Sequence, residues 1–289
     1  LSHNQGAVPP LDWQALPFLA AEPGARMGLQ PLSTGHWLPF AISAEERARK
    51  QQVLADHANQ ASGRWTPGTG LTAGGPGDNP SLTTAEHALE ALVAAAVPGA
   101  ELPTAELSPV VRAALRVPDD LCLLMRSSDD GCYRLASACV CAPSYWSLPQ
   151  MLGRTLPGLH AGVADMTPAL AGRIDAFFQG LRETDLFERR NWSVHGSPER
   201  WQPRPAAGEL LERVWMRSER QTLRRVGADA VLFTIRVEIA PLAEIAALPT
   251  VRAALDRALT LLAGPSLAAF GGPQKLQRVQ AVLAALPGR

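Results

Sequence analysis

Val214-Trp215-Met216-Arg217-Ser218-Glu219-Arg220-Gln221-Thr222-Leu223-Arg224-Arg225, then Gly227-Ala228-Asp229, then Ala230-Val231-Leu232-Phe233-Thr234-Ile235-Arg236-Val237 is the stretch that decides the fold. Two strand-like runs flank a glycine-containing turn, which predicts an antiparallel hairpin. Without a bulge, alternation places Arg217, Glu219, Gln221 and Leu223 on one face and Arg220, Thr222 and Arg224 on the other. An interior strand seldom holds so many charges. One face must meet the core, and a buried charge is costly unless it is paired or bonded to an anion. Two readings stay open: Glu219 neutralises an arginine within the fold, or the arginines face an anionic ligand, carboxylates being well matched to the guanidinium fork. A solvated edge strand of mixed charge is the plain alternative.

Upstream, Leu121-Cys122-Leu123-Leu124-Met125, the turn Ser128-Asp129-Asp130-Gly131 and the strand-like run 133–142 predict a second hairpin, which Pro143 ends. Residues 148–160 read as a short helix or loop carrying Gly153-Arg154-Thr155-Leu156-Pro157-Gly158-Leu159-His160. Residues 167–190 repeat apolar side chains at helical spacing (Leu170, Ile174, Phe177, Phe178, Leu181, Leu186) and predict a core helix. From there Asn191-Trp192-Ser193-Val194 leads through a Pro-rich turn to the hairpin quoted first. Two helices, 242–263 and 274–286, close the chain.

Toward the N-terminus, Ser43 and Glu46 form a capping box that opens a charged helix to about residue 59, and Thr83 and Glu86 a second one, with His87 exposed in the first turn. Between them, 60–81 is rich in glycine and is expected to be an insertion without order of its own. Residues 1–42 read as an extended arm anchored by Trp13, Phe18, Trp37 and Phe40. The layout is α+β, an antiparallel sheet with helices before, between and after two hairpins, in one domain over 43–289.

The charge balance, 27 basic against 27 acidic residues, argues against a polyanionic partner such as nucleic acid. No run is long and apolar enough to span a bilayer, so no membrane association is expected. Cys122, Cys132, Cys139 and Cys141 lack the paired spacing of a zinc site and read as free thiols, which fits a cytoplasmic location. Neither a phosphate-binding glycine motif nor a closed non-haem metal motif is present. His160 and His195 each read first as satisfied core histidines. Haem changes the weighing for His160, because it brings four nitrogens of its own and asks only for an axial imidazole, an apolar slot and cations for its propionates.

Several blocks occur together: Pro118-Asp119-Asp120-Leu121-Cys122-Leu123-Leu124, Asp130-Gly131-Cys132-Tyr133-Arg134-Leu135, Pro143-Ser144-Tyr145-Trp146-Ser147-Leu148, the 153–160 stretch, Arg190-Asn191-Trp192-Ser193, and Arg217 through Arg225 with Phe233-Thr234-Ile235-Arg236. In this order they resemble the haem-dependent oxidative N-demethylase family, over nearly the whole chain. The resemblance implies a haem-binding PAS-like domain that demethylates a small secondary amine such as dimethylamine with O2, giving formaldehyde and the smaller amine. It further implies haem b as the cofactor, with electrons from NADPH through partner subunits carrying FMN and a 2Fe-2S cluster. His160 takes the axial iron position by motif match. Arg217, Arg220, Arg236 and Trp192 are then expected to hold the haem, and Glu219, Gln221 and Arg224 to act on amine and oxygen. After His160 the family continues with a Pro-Val-Pro-like segment, where this chain reads Ala161-Gly162-Val163-Ala164-Asp165. A haem-based sensor or carrier of a diatomic gas, and an interaction protein with a degenerate pocket, are the competing readings.

Overall fold

A computed structural model describes residues 28–66, 70–72, 79–99, 105–160, 167–205 and 213–286. The strands are β1 (Gln30–Pro31), β2 (Ser62–Thr66), β3 (Gly70–Thr72), β4 (Asp120–Arg126), β5 (Tyr133–Cys139), β6 (Leu186–His195), β7 (Trp215–Val226) and β8 (Ala230–Pro241). The helices are α1 (Ala44–Asp56), α2 (Ala58–Ala61), α3 (Pro80–Ala96), α4 (Pro109–Ala114), α5 (Leu148–Met151), α6 (Leu156–Leu159), α7 (Pro168–Gly180), α8 (Leu242–Ala246), α9 (Pro249–Thr260), α10 (Gly264–Phe270) and α11 (Gly272–Ala285). Among the described residues none of these helices is long and apolar enough to cross a membrane. The strands form one sheet in the order β1-β6-β7-β8-β4-β5-β2-β3, with antiparallel neighbours throughout. The α+β class and both predicted hairpins are therefore present.

The sheet is covered on both sides. Odd-numbered side chains of β7 and β8 face α5, α6 and α7, where Cys122, Leu135, Leu148, Leu152, Ile235 and Val237 form one apolar cluster and Leu124, Tyr133, Phe178 and Leu223 another. Even-numbered side chains face α1, α3 and α4 at one end of the sheet and α8, α9 and α11 at the other. These two sides are called below the α6 face and the α3 face. Burial on both sides explains why β7 reads as charged yet lies in the interior: ten of its twelve residues are buried, on both faces, so alternation cannot keep its charges out of the core.

Three expectations are corrected. The helix predicted over 167–190 stops at Gly180, and Leu186 belongs instead to β6, which pairs with β7 over Leu186↔Arg224 to His195↔Trp215. Its residues 188–191 are all polar or charged, so no alternation marks the strand; the long partner β7 supplies the ladder that local propensity does not. The 60–81 insertion contributes β2 and β3, with β2 extending the sheet beside β5. Gly63 is what allows this, since a Cβ there would come within 2.8 Å of Leu152 Cδ1. Residues 67–69 and 73–78 of that insertion lie outside the described residues, as do Trp13 and Phe18 of the arm. Finally, α3 is capped by Asn79, whose Oδ1 accepts from Leu82 N at 3.1 Å with Pro80 in the first turn. Glu86 is fully buried and accepts from Ser137 Oγ instead, beside Arg64 at 3.4 Å. Burial is the main cause that raises its pKa. The Ser43 cap is as expected, its Oγ accepting from Glu46 N.

Gly153 sits at the bend that turns the chain from the sheet edge into α6. Its φ is +80°, and a Cβ would be driven into the Trp65 indole. Gly153→Ala is therefore expected to lower stability by about 2–3 kcal/mol through backbone strain and overpacking together, read as a shift of the urea midpoint with unchanged slope.

Candidate functional site

On the α6 face, β7 carries a connected polar row. Arg217 Nε donates to Glu219 Oε1 at 3.1 Å, and Gln221 Nε2 donates to Glu219 Oε2 at 2.9 Å. The Arg217 guanidinium is fully buried and also donates to the carbonyls of Ala142 and Arg200. Across the register, β8 sets Ile239, Val237 and Ile235 opposite Arg217, Glu219 and Gln221. These three belong to the apolar cluster that includes Trp146, Met151 and Leu159. On the other flank, β6 sets Ser193, Asn191 and Arg189 opposite the same three residues. The α6 face thus places a carboxylate, held at both oxygens, between a polar strip and an apolar wall.

His160 enters the same face from α6. Thr155 caps that single turn, its Oγ1 accepting from Gly158 N at 3.4 Å, and Leu156 and Leu159 pack into the clusters on the sheet. His160 follows as the C-cap, half-buried, with Nδ1 at 2.8 Å from the carbonyl oxygen of Leu156. A carbonyl can only accept, so Nδ1 carries the hydrogen and Nε2 keeps its lone pair. Histidines that bind metal are oriented in this way by a backbone acceptor. Residues 161–166, which hold the Ala161-Gly162-Val163-Ala164-Asp165 departure, lie outside the described residues. Among the described residues no group of three or more His, Cys, Asp or Glu side chains could hold a bare metal ion.

The remaining residues expected at the site lie on the α3 face, as alternation places Arg220 and Arg224. Arg220 donates to Glu188 Oε2 at 2.8 Å and to the carbonyls of Trp37 and His36 at 2.8 and 2.7 Å. Arg236 donates from Nε and Nη2 to Asp119 Oδ2, at 3.2 and 2.8 Å, and lies over Phe40. Arg224 lies over the Trp37 ring at 4.5 Å, lining a cleft of about 420 Å³ with Thr34, Gly35 and Leu92, and burial lowers its pKa. Trp192 packs against Phe270, ring centres 6.3 Å apart, among residues of the α8, α9 and α11 cluster. The physical reason is the strand period of two, which sends neighbours to opposite faces, together with carbonyl acceptors from a segment more than 180 residues away in sequence. Arg217 likewise has internal partners.

His195 is a satisfied core histidine. Gln202 uses its amide nitrogen on the carbonyls of Ser197 and Glu199, which turns Oε1 to accept from His195 Nδ1 at 3.0 Å. Ser193 Oγ then donates to His195 Nε2 at 2.8 Å.

Sequence reasoning missed Arg189. It is half-buried, its Nε is closed off from water, and no acceptor reaches that nitrogen among the described residues. Burial lowers its pKa, opposed by the charge of Glu219. No local signal could have found it, because residues 188–191 show no alternation and the run 186–190 reads as the end of a helix.

A family model described as haem-dependent oxidative N-demethylase, alpha subunit-like, matches residues 81–275, the greater part of the chain. The chain belongs to this family. The matched span of this demethylase-like alpha subunit runs from α3 into α11 and contains β4 to β8, α6 and His160. No curated protein matches the chain. The residues present fit a haem on three observations: an imidazole whose Nδ1 is committed to a carbonyl, an apolar wall of Ile235, Val237 and Ile239 in the same layer, and a half-buried arginine whose Nε has no acceptor among the described residues.

Proposed function

We propose that the chain binds haem b on the α6 face, with His160 as axial ligand, and carries out O2-dependent demethylation of a small secondary amine. The observation that supports this most is the His160 Nδ1 to Leu156 carbonyl contact at 2.8 Å, which presents Nε2 to a metal. Bound haem supplies the redox-active iron for oxidation of the N-methyl group, and the products are formaldehyde and the smaller amine. Electrons come from NADPH through FMN and 2Fe-2S components on partner subunits.

The chain's own residues position the amine. Glu219, 9% exposed, offers a carboxylate to an ammonium N–H, a charge-assisted bond stronger than a neutral one. Gln221 and Arg217 fix both its oxygens, so the carboxylate is oriented before the amine arrives. Ile235, Val237 and Ile239 exclude water from the methyl group on the β8 side. In this reading Arg220 and Arg236 are ties between the sheet and its cover, and Arg224 and Trp192 take no part.

Haem titration of the purified protein is expected to give a saturable Soret band. With NADPH and a flavin and iron–sulfur reductase, dimethylamine is expected to be consumed with stoichiometric formaldehyde release. Haem uptake without formaldehyde from any small secondary amine would favour a carrier of a diatomic gas, and no Soret band would remove the haem reading.

A further inference from the structure

On the α6 face Arg189 differs from Arg217 and Arg225, whereas on the opposite face its neighbour Arg190 likewise has an Nη1 closed off without an acceptor among the described residues. Arg217, Arg220, Arg225 and Arg236 each give hydrogen bonds to carbonyls or carboxylates of the chain. Arg189 Nε meets none among the described residues, although it is closed off from water. Its register partner is Gln221, and the neighbouring Glu219, the one charge that favours its ionised form, has both oxygens engaged by Arg217 and Gln221. A guanidinium does not lose its proton in a protein, so an anion brought from outside the chain would complete the pairing of this half-buried cation. Among the described residues β1 pairs with β6 only at Phe187 and Glu188, and Asn191 beyond them is exposed, so the described residues leave this flank of the strip open to an incoming group.

We propose that Arg189 is the carboxylate receptor of the α6-face site. A planar fork beside an amine-binding carboxylate suits two sources of the same chemistry: a haem propionate, or the carboxylate of an N-methylated amino acid bound by its nitrogen at Glu219. The inference rests on the functional reading above and names the group that completes the site.

The test uses Arg189→Met in the full chain, with haem, haem dimethyl ester, N,N-dimethylglycine and dimethylamine as probes. Without ligand the variant is expected to melt at or above the wild-type temperature, because a half-buried charge with an unpartnered Nε has been removed; melting several degrees lower would mark a structural role and overturn the proposal. In the first arm, wild type binds haem about tenfold or more tightly than its dimethyl ester, and the variant binds the two alike with an unchanged Soret position. In the second, N,N-dimethylglycine raises the wild-type melting temperature where dimethylamine does not, and the variant loses the difference. Either arm supports the proposal and identifies the source. Discrimination absent from wild type in both arms, or retained in the variant, overturns it. If wild type takes up no haem, the haem reading fails separately, and the second arm still decides on Arg189.

Discussion

Replacing His160 by alanine is expected to weaken haem binding by more than about 100-fold and to shift or abolish the Soret band. Partners that merely orient a metal-bound histidine are worth about 10–100-fold in affinity, and removal of the ligand itself exceeds that. The fold should survive, because His160 is half-buried at the end of a single turn and its side chain is bonded, among the described residues, to a carbonyl four residues back. Imidazole added to the His160→Ala protein should restore the wild-type band, since it supplies the same nitrogen to the same space. An unchanged spectrum in the variant would take His160 off the iron, whatever the catalytic activity.

The second large effect is on stability. Arg217→Leu is expected to cost about 3–5 kcal/mol, measured by urea unfolding, because it leaves Glu219 as a buried charge without its cation and leaves the Ala142 and Arg200 carbonyls short of a donor. Adding Glu219→Leu should recover part of the loss, because an apolar pair of similar volume often replaces a buried ion pair at little cost. Arg189 on the same face contrasts with it: Arg217 is tied into the fold by three acceptors, whereas no acceptor reaches Arg189 Nε among the described residues. A mild Arg217→Leu phenotype, within about 1 kcal/mol, would mean that the network carries little of the fold.

Local chemistry made much of the architecture legible. The turn residues Gly227 and Asp229 between two β-rich runs could hardly be anything but a hairpin, and Ser43 with Glu46 marked the start of α1 to the residue. Where reading failed, the deciding partner was distant. Nothing in Glu188, Arg189, Arg190 and Asn191 favours a strand until β7 lies alongside, and nothing in the Gly-rich 60–81 segment announces that Gly63 will pass under Leu152.

The candidate site divides in the same way. By itself, the sequence determined that His160 stands at the end of a short apolar turn, that Arg217, Glu219 and Gln221 share a face, and that the family blocks follow in order. Those are statements about period and spacing, which a chain carries locally. Only the tertiary structure decided which charges were already satisfied, because the acceptors for Arg220, Arg236 and Arg217 come from residues 36–37, 119 and 142. Whether a buried charge is paired depends on what folding brings to it, and only folding leaves the Arg189 Nε closed off from water without an acceptor among the described residues.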